Sequence, residues 1–350
     1  MNIAGLKING RIIGPGNPCF IIGEIAQAHD GSLGMAHAFI DAVANAGADA
    51  IKFQTHIAHA ESTPQEPFRV KFSKQDSTRY DYWKRMEFTE EQWTGLAQHA
   101  KDRGLIFLSS PFSEDAVSLL EKINIPAWKI ASGEVNNPLI KKAIYATKKP
   151  ILLSSGMSSF EEIDKIVDEI KEKELPLAIF QCTSKYPTKP EELGLNIINE
   201  YRNRYQVPVG LSDHSGKIYA GLAAASLGAN LLEVHVTLSR EMFGPDVPSS
   251  LTTEELKKLI EGVRFIEVAI NNPVNKDSLS TEMEDMKKMF GKGLVVKKNI
   301  IKGETITLDS LSAKKPAIGI LAEDIHVVIG KRSKRNISAG EFLHSDDLEE

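Results

Sequence analysis

Residues 210–215 read GLSDHS and residues 231–237 read LLEVHVT, and these two stretches decide the fold. Each is a short apolar run that closes on a histidine, as expected of a strand covered on both faces. Between them, residues 219–229 (YAGLAAASLGA) carry the small-residue pattern of a closely packed helix. A strand–helix–strand unit makes the two strands parallel neighbours. His214 and His235 then stand side by side at the carboxyl ends of adjacent strands, where α/β proteins bind their ligands. One such histidine reads as a satisfied core residue. Two at matched positions suit a divalent metal.

The same alternation of apolar run and amphipathic segment recurs along the chain. The runs occupy residues 19–27, 48–54, 105–111, 127–134, 150–156, 177–183, 208–215 and 231–237. Segments such as FEEIDKIVDEIKEKE (160–174) and TTEELKKLIEGVRFIEVAI (252–270) between and after them have helical spacing. Eight even repeats predict an α/β protein built on a (β/α)8 TIM barrel rather than an open doubly wound sheet. The barrel is expected over residues 1–270, a polar linker over 271–292, and a small β-rich domain over 293–350. That last stretch contains a repeat. Asn299, Ile300, Gly303, Glu304, Ile306, Asp309 and Leu311 are echoed by Asn336, Ile337, Gly340, Glu341, Leu343, Asp346 and Leu348. Two halves related by a pseudo-twofold axis follow. One connection, residues 55–88, is long, polar and rich in aromatics, and is expected to serve as a lid or assembly surface at the barrel mouth.

Composition narrows the function. The 350 residues carry a net charge of −5, which offers no basic footprint for nucleic acid. No apolar run approaches the ~20 residues of a membrane span, and MNIAGLKINGRIIG lacks the apolar core of a signal peptide. Cys19 and Cys182 sit in apolar surroundings and read as buried thiols, so a cytoplasmic protein is expected.

Strand side chains alternate between faces. The phase fixed by His214 and His235 places Ser110, Ser132, Ser154, Ser184 and Ser212 inside the mouth around Lys52, with Glu24 and Glu134 near the histidines. Lys129 falls out of that phase. Hydroxyls around a lysine form an anion pocket. Beside a metal, such a pocket suits carbon–carbon bond formation or cleavage, or phosphate ester chemistry.

These residues resemble the sialic acid synthase family, which condenses phosphoenolpyruvate with an N-acetylated hexosamine. The resemblance covers essentially the whole chain: GEIAQAHDGS (23–32), GADAIKFQT (47–55), FLSSPFS (107–113), WKIASGE (128–134), LLSSGMSS (152–159), QCTSKYP (181–187), GLSDHS, EVHVTLSR (233–240) and GPDVPSS (244–250). The tail resembles the antifreeze-like (SAF) domain of the family. The resemblance implies Mn2+, or another divalent ion such as Mg2+ or Co2+, on His214 and His235. It implies that phosphoenolpyruvate is bound by Lys52, Ser110, Lys129, Ser132, Ser154, Ser184 and Ser212. Gln54, Tyr186 and Asp246 would lie near the sugar, and Glu24 or Glu134 would steer protons and water. It further implies a domain-exchanged homodimer in which the SAF domain covers the partner's barrel. In KKPAIGI (314–320), Lys315 stands where relatives acting on N-acetylmannosamine carry arginine. Lysine cannot reproduce a two-pronged contact, so a 2,4-diacetamido-trideoxyhexose is an alternative sugar. Two other functions remain open at this point: a 3-deoxy-ulosonate-type phosphoenolpyruvate–aldose synthase, and a non-catalytic sugar-binding barrel.

Overall fold

The computed structural model describes residues 5–349 and divides into two units, Met1–Asn271 and Asn272–Glu350. The first opens with an antiparallel hairpin of β1 (Leu6–Ile8) and β2 (Arg11–Ile13). Eight parallel strands follow: β3 (Phe20–Ala26), β4 (Ala50–Thr55), β5 (Ile106–Pro111), β6 (Trp128–Ile130), β7 (Ile151–Ser154), β8 (Leu177–Cys182), β9 (Val209–Asp213) and β10 (Leu231–Thr237). They pair in chain order, and β10 pairs with both β9 and β3, so the sheet closes into a barrel. A two-residue β11 (Leu251–Thr252) adds to the outer edge of β10.

The alternation predicted for the strands sorts the core into two clusters. Outward residues such as Ile21, Ile51, Phe107, Leu153 and Ile179 pack under the helices. Helix Phe160–Glu172 shows why those helices form. Ser159 and Glu162 close a capping box at its start, and Ile163, Ile166, Val167 and Ile170 make one buried face. Inward residues Phe20, Ile22, Ala50, Leu108, Leu152, Phe180 and Leu231 form a separate cluster with Leu6, Ile8 and Ile13 of the hairpin. The hairpin therefore packs against the apolar floor of the barrel, and the polar mouth lies at the other end of the same strands.

The run 127–134 departs from expectation. Strand β6 stops at Ile130, and Ser132–Glu134 form a turn of 3-10 helix. The inward position on β6 is therefore Lys129, and Ser132 reaches the mouth from the turn rather than from the strand. The long connection is also ordered. Helices Ala58–Glu61 and Arg79–Met86 hold a small cluster of Ala58, Tyr82, Trp83 and Met86 beneath Phe68 and Phe72. Arg85 ties it down through Asp76 and Asp30.

In the second unit, the stretch expected as a linker carries two short helices, Lys276–Glu282 and Glu284–Phe290. Asn275 starts the first by accepting from the backbone N–H of Asp277 and Ser278. Strands β12 (Gly293–Val296) and β13 (Leu311–Lys314) pair antiparallel. The sequence repeat becomes a reciprocal hydrogen-bond pattern. Asn336 Oδ1 accepts from Lys302 N–H and Asn299 Oδ1 from Ala339 N–H, both at 2.8 Å. Ile300 bridges its own repeat mate Ile337. Ile300, Ile306 and Leu311 share one core with Ile337, Leu343 and Leu348.

Candidate active site

The carboxyl ends of the barrel strands open into a cavity of about 560 Å3. Every site residue expected in the first unit lines it: Glu24, Lys52, Gln54, Ser110, Lys129, Ser132, Glu134, Ser154, Ser184, Tyr186, Ser212, His214, His235 and Asp246. Lys315 belongs to the second unit, where it is exposed and its Nζ lies 5.0 Å from the centre of the Phe290 ring.

At the bottom of the cavity is a buried charge cluster. Lys52 is ion-paired with Glu24, donates to Ser110 Oγ at 3.3 Å and lies 3.8 Å from Glu233 Oε2. Lys129 donates to Glu233 Oε1 at 2.9 Å, and Ser212 donates to the same oxygen at 2.9 Å. The two carboxylates are not equivalent. Burial raises Glu233, but Lys129 and Lys52 outweigh it and hold the carboxyl down at about 2. Burial also raises Glu24, and there Lys52 does not cancel it. Two lysines and two glutamates thus meet, with one carboxyl held well below its usual range and the other, Glu24, raised above it by burial.

The histidines meet as their strands predict. The His214 and His235 rings lie 5.1 Å apart, and the Tyr186 ring lies 4.2 Å from His214. His214 Nδ1 is 2.9 Å from the Thr183 carbonyl, which can only accept, so Nδ1 carries a proton and, in the neutral ring, Nε2 holds the lone pair. Burial holds His235 neutral, at about 3. Cys182 Sγ lies 3.9 Å from His214 Nδ1 and 3.9 Å from Ser132 Oγ. Among the described residues no group of three or more histidine, cysteine, aspartate or glutamate side chains is arranged to hold a metal.

Glu134 is half-buried at the rim. Burial raises its carboxyl, opposed by a hydrogen bond from Asn137 Nδ2 at 2.8 Å. On the sugar side expected from the sequence, Arg69 of the long connection stacks 4.3 Å above the Tyr186 ring and donates to Asp246 at 2.9 Å. Glu61, Glu66, Arg79, Tyr82 and Trp83 complete that wall.

Sequence reasoning placed the long connection at the mouth as a lid or assembly surface without naming its residues, and it assigned no role to Glu233 or Gln27. Glu233 sits two residues before His235 in the same phase, so the alternation itself points to it. Gln27 lies just past β3 and lines the cavity, 7% exposed, and its Nε2 is buried without a hydrogen-bond partner. No local pattern signals Gln27. The wall depends on how a long connection folds back over the mouth.

The NeuB family profile matches residues 39–275, and the SAF domain profile matches residues 291–349. The chain belongs to the NeuB family. It is 35% identical to the N-acetylneuraminate-9-phosphate synthase of Homo sapiens over 92% of this chain and 90% of that one. It is 33% identical to the N,N'-diacetyllegionaminic acid synthase of Campylobacter jejuni over 92% of this chain and 98% of that one. The crystal structure of N-acetylneuraminic acid (sialic acid) synthetase from Leptospira borgpetersenii, in complex with citrate, covers 81% of this chain and 96% of its own, with a TM-score of 0.71 at 27% identity. This NeuB-family chain is a phosphoenolpyruvate-dependent enzyme of the sialic acid synthase kind.

Proposed function

We propose that this enzyme joins phosphoenolpyruvate to the open-chain form of an N-acylated hexosamine, giving a nonulosonic acid and phosphate. The observation that carries the reading is the floor of the cavity. Buried Lys52 and Lys129 sit among Ser110, Ser154 and Ser212 on the inner strand ends, with Ser132 and Ser184 above them at the mouth. Lys52, Lys129 and these hydroxyls bind the phosphate and carboxylate of phosphoenolpyruvate. C3 of the enol attacks the sugar aldehyde carbon, water adds at C2, and the adduct expels phosphate by C–O cleavage. Glu24, the more basic of the two buried carboxylates, accepts the proton of that water. Glu233 stays ionised and keeps both lysines in place. Gln54, Glu134, Tyr186 and Asp246 orient the sugar.

The donor set at the histidine pair fits a divalent ion. Two imidazoles lie 5.1 Å apart in an edge-to-face arrangement, and the carbonyl bond at Nδ1 leaves Nε2 of His214 for a ligand. A bound Mn2+, Mg2+ or Co2+ would supply polarisation of the aldehyde. His214 and His235 would hold the ion, and water or the sugar would supply its other ligands.

Charge and Lys315 support one choice of sugar. Arg69 is spoken for by Asp246, and Arg79 lies 3.5 Å from Glu66. An uncharged acylamino sugar suits this wall better than a sugar phosphate. Lys315, offered to the acyl group by the SAF domain of a second subunit in a homodimer, grips less tightly than arginine. N-acetylmannosamine is then a weaker substrate than a 2,4-diacetamido-trideoxyhexose.

The test measures phosphate release from phosphoenolpyruvate against free N-acetylmannosamine, its 6-phosphate and a 2,4-diacetamido-trideoxyhexose, with and without a chelator. Turnover on a free sugar that stops on chelation and returns with Mn2+ is expected. Activity on the sugar phosphate alone would overturn the substrate class, and full activity in metal-free enzyme would overturn the metal role. Lys315→Arg should shift preference toward N-acetylmannosamine.

A further inference from the structure

Above the lysines, the cavity wall holds a second chain of polar groups that the reaction as described does not use. Glu61 Oε1 lies 2.5 Å from His56 Nδ1, and its other oxygen accepts from the backbone N–H of Ile57 at 3.3 Å. His56 Nε2 lies 3.3 Å from Gln54 Oε1. The imidazole is held flat between two rings, Trp83 at 3.8 Å and Phe112 at 4.3 Å, both within 16° of parallel. His56 is 5% exposed, yet it, Glu61 and Gln54 all line the cavity.

A ring sandwiched in this way cannot turn, so its two nitrogens keep fixed partners. An ionised Glu61 only accepts, so Nδ1 carries the proton between them. Nε2 is the variable end. As an imidazolium, His56 donates from Nε2 to the Gln54 carbonyl oxygen, and the amide NH2 is left for a ligand. As a neutral ring, Nε2 must accept, so the Gln54 NH2 turns to it and the carbonyl faces the cavity. The Gln54 side chain makes no other hydrogen bond among the described residues. Its presented end is therefore set by His56.

We propose that His56 is a positioning residue for the sugar: held by Glu61, it decides whether Gln54 offers the cavity a donor or an acceptor. The inference rests on the reading of Gln54 as a sugar contact. Other charged groups also face this ring. Glu66 accepts from Trp83 Nε1 at 2.9 Å, and Arg79 stacks on the far face of Trp83 at 4.2 Å. His29 is near enough for His56 to help lower it, although burial is the main cause, and burial holds it at about 3. Glu134 feels the Glu61 charge from across the mouth. Of these, only Glu61 bonds to the ring, so it is the charged group whose replacement tests the ring directly.

Steady-state kinetics of the full-length enzyme, with each substrate varied from pH 5.5 to 9, test this. In the parent, KM for the sugar should follow a single protonation while KM for phosphoenolpyruvate does not share its midpoint. His56→Phe keeps the ring stack and removes both bonds. It should raise sugar KM about tenfold, the worth of roughly one hydrogen bond, with phosphoenolpyruvate KM unchanged and the pH step gone. His56→Gln should restore sugar KM without restoring the step. Glu61→Gln should keep the step and lower its midpoint, and it serves as the test if His56→Phe does not fold. Sugar KM unmoved in His56→Phe, both KM values rising together, or an unmoved midpoint in Glu61→Gln would each overturn the proposal. A readout independent of turnover separates it from the functional reading. The Gln54 side-chain amide resonances must titrate with the His56 ring in the parent by NMR, and distinct midpoints overturn the proposal whatever the substrate.

Discussion

Phe20 and Glu24 enter the same barrel from the same strand, four residues apart, and meet opposite surroundings. Phe20 joins Ile22, Leu108, Leu152, Phe180 and Leu231 in a buried apolar floor. Glu24 meets Lys52, and Glu233 meets Lys129, in a mouth where nearly every inward side chain is charged or hydroxylated. The boundary is one residue thick: the Lys129 ammonium lies 5.1 Å from the centre of the Phe180 ring. The floor gains stability from dry packing, and the mouth holds desolvated charges that only their partners make tolerable. The same eight strands thus separate what holds the barrel together from what performs the chemistry. Substitutions on the two sides should separate in the same way.

The largest effect is expected where the mouth's charges balance. Lys129→Ala leaves the Glu233 carboxylate with Ser212 and the more distant Lys52. Stranding a buried charge costs on the order of 3–5 kcal/mol, and turnover should be lost with it. Adding Glu233→Gln should recover much of the stability and none of the activity. Denaturant titration beside phosphate release distinguishes these. A double variant that regains turnover would make the pair purely structural and dissolve the contrast drawn here.

The floor should answer differently. Leu152→Ala removes a fully buried side chain one strand position below Ser154. It should cost about 2–5 kcal/mol of stability, while kcat and both KM values of the folded enzyme stay near the parent's. A large rise in phosphoenolpyruvate KM at full folding would mean that floor and mouth are mechanically coupled.

These tests also mark what the sequence made legible. The barrel could be read because each strand is a short apolar run and each helix carries its own start signal, as Ser159 and Glu162 do. The histidine pair could be read because parallel neighbours place matched strand ends together. The SAF repeat could be read because its halves keep Asn299 and Asn336, each of which accepts from a backbone N–H of the other half. Lys129 was out of phase because β6 ends two residues before Ser132, a termination that the apolar run 127–134 does not announce. Glu233 was passed over because its partner Lys129 lies on a strand not adjacent to β10. Trp83, Glu61 and Arg79 reach the cavity through the fold of a long connection, which periodicity does not describe.

The smallest effect is expected where a mouth residue can be given floor chemistry. Gln27 is 93% buried by its 7% exposure, and its Nε2 has no partner among the described residues. A buried donor left unsatisfied costs about 1–3 kcal/mol. Such a group persists where a ligand completes it, because stability and activity are selected together. Gln27→Met has similar length and no hydrogen to satisfy. It should therefore stabilise the ligand-free enzyme by about 1 kcal/mol, the lower end of that penalty. The same change removes a donor from the cavity, so KM for one substrate should rise several-fold while kcat changes little. Which KM rises tells which substrate Gln27 faces. A lower melting temperature with both KM values unchanged would mean that Gln27 packs as an ordinary wall residue, and the orphan amide would then mark no ligand.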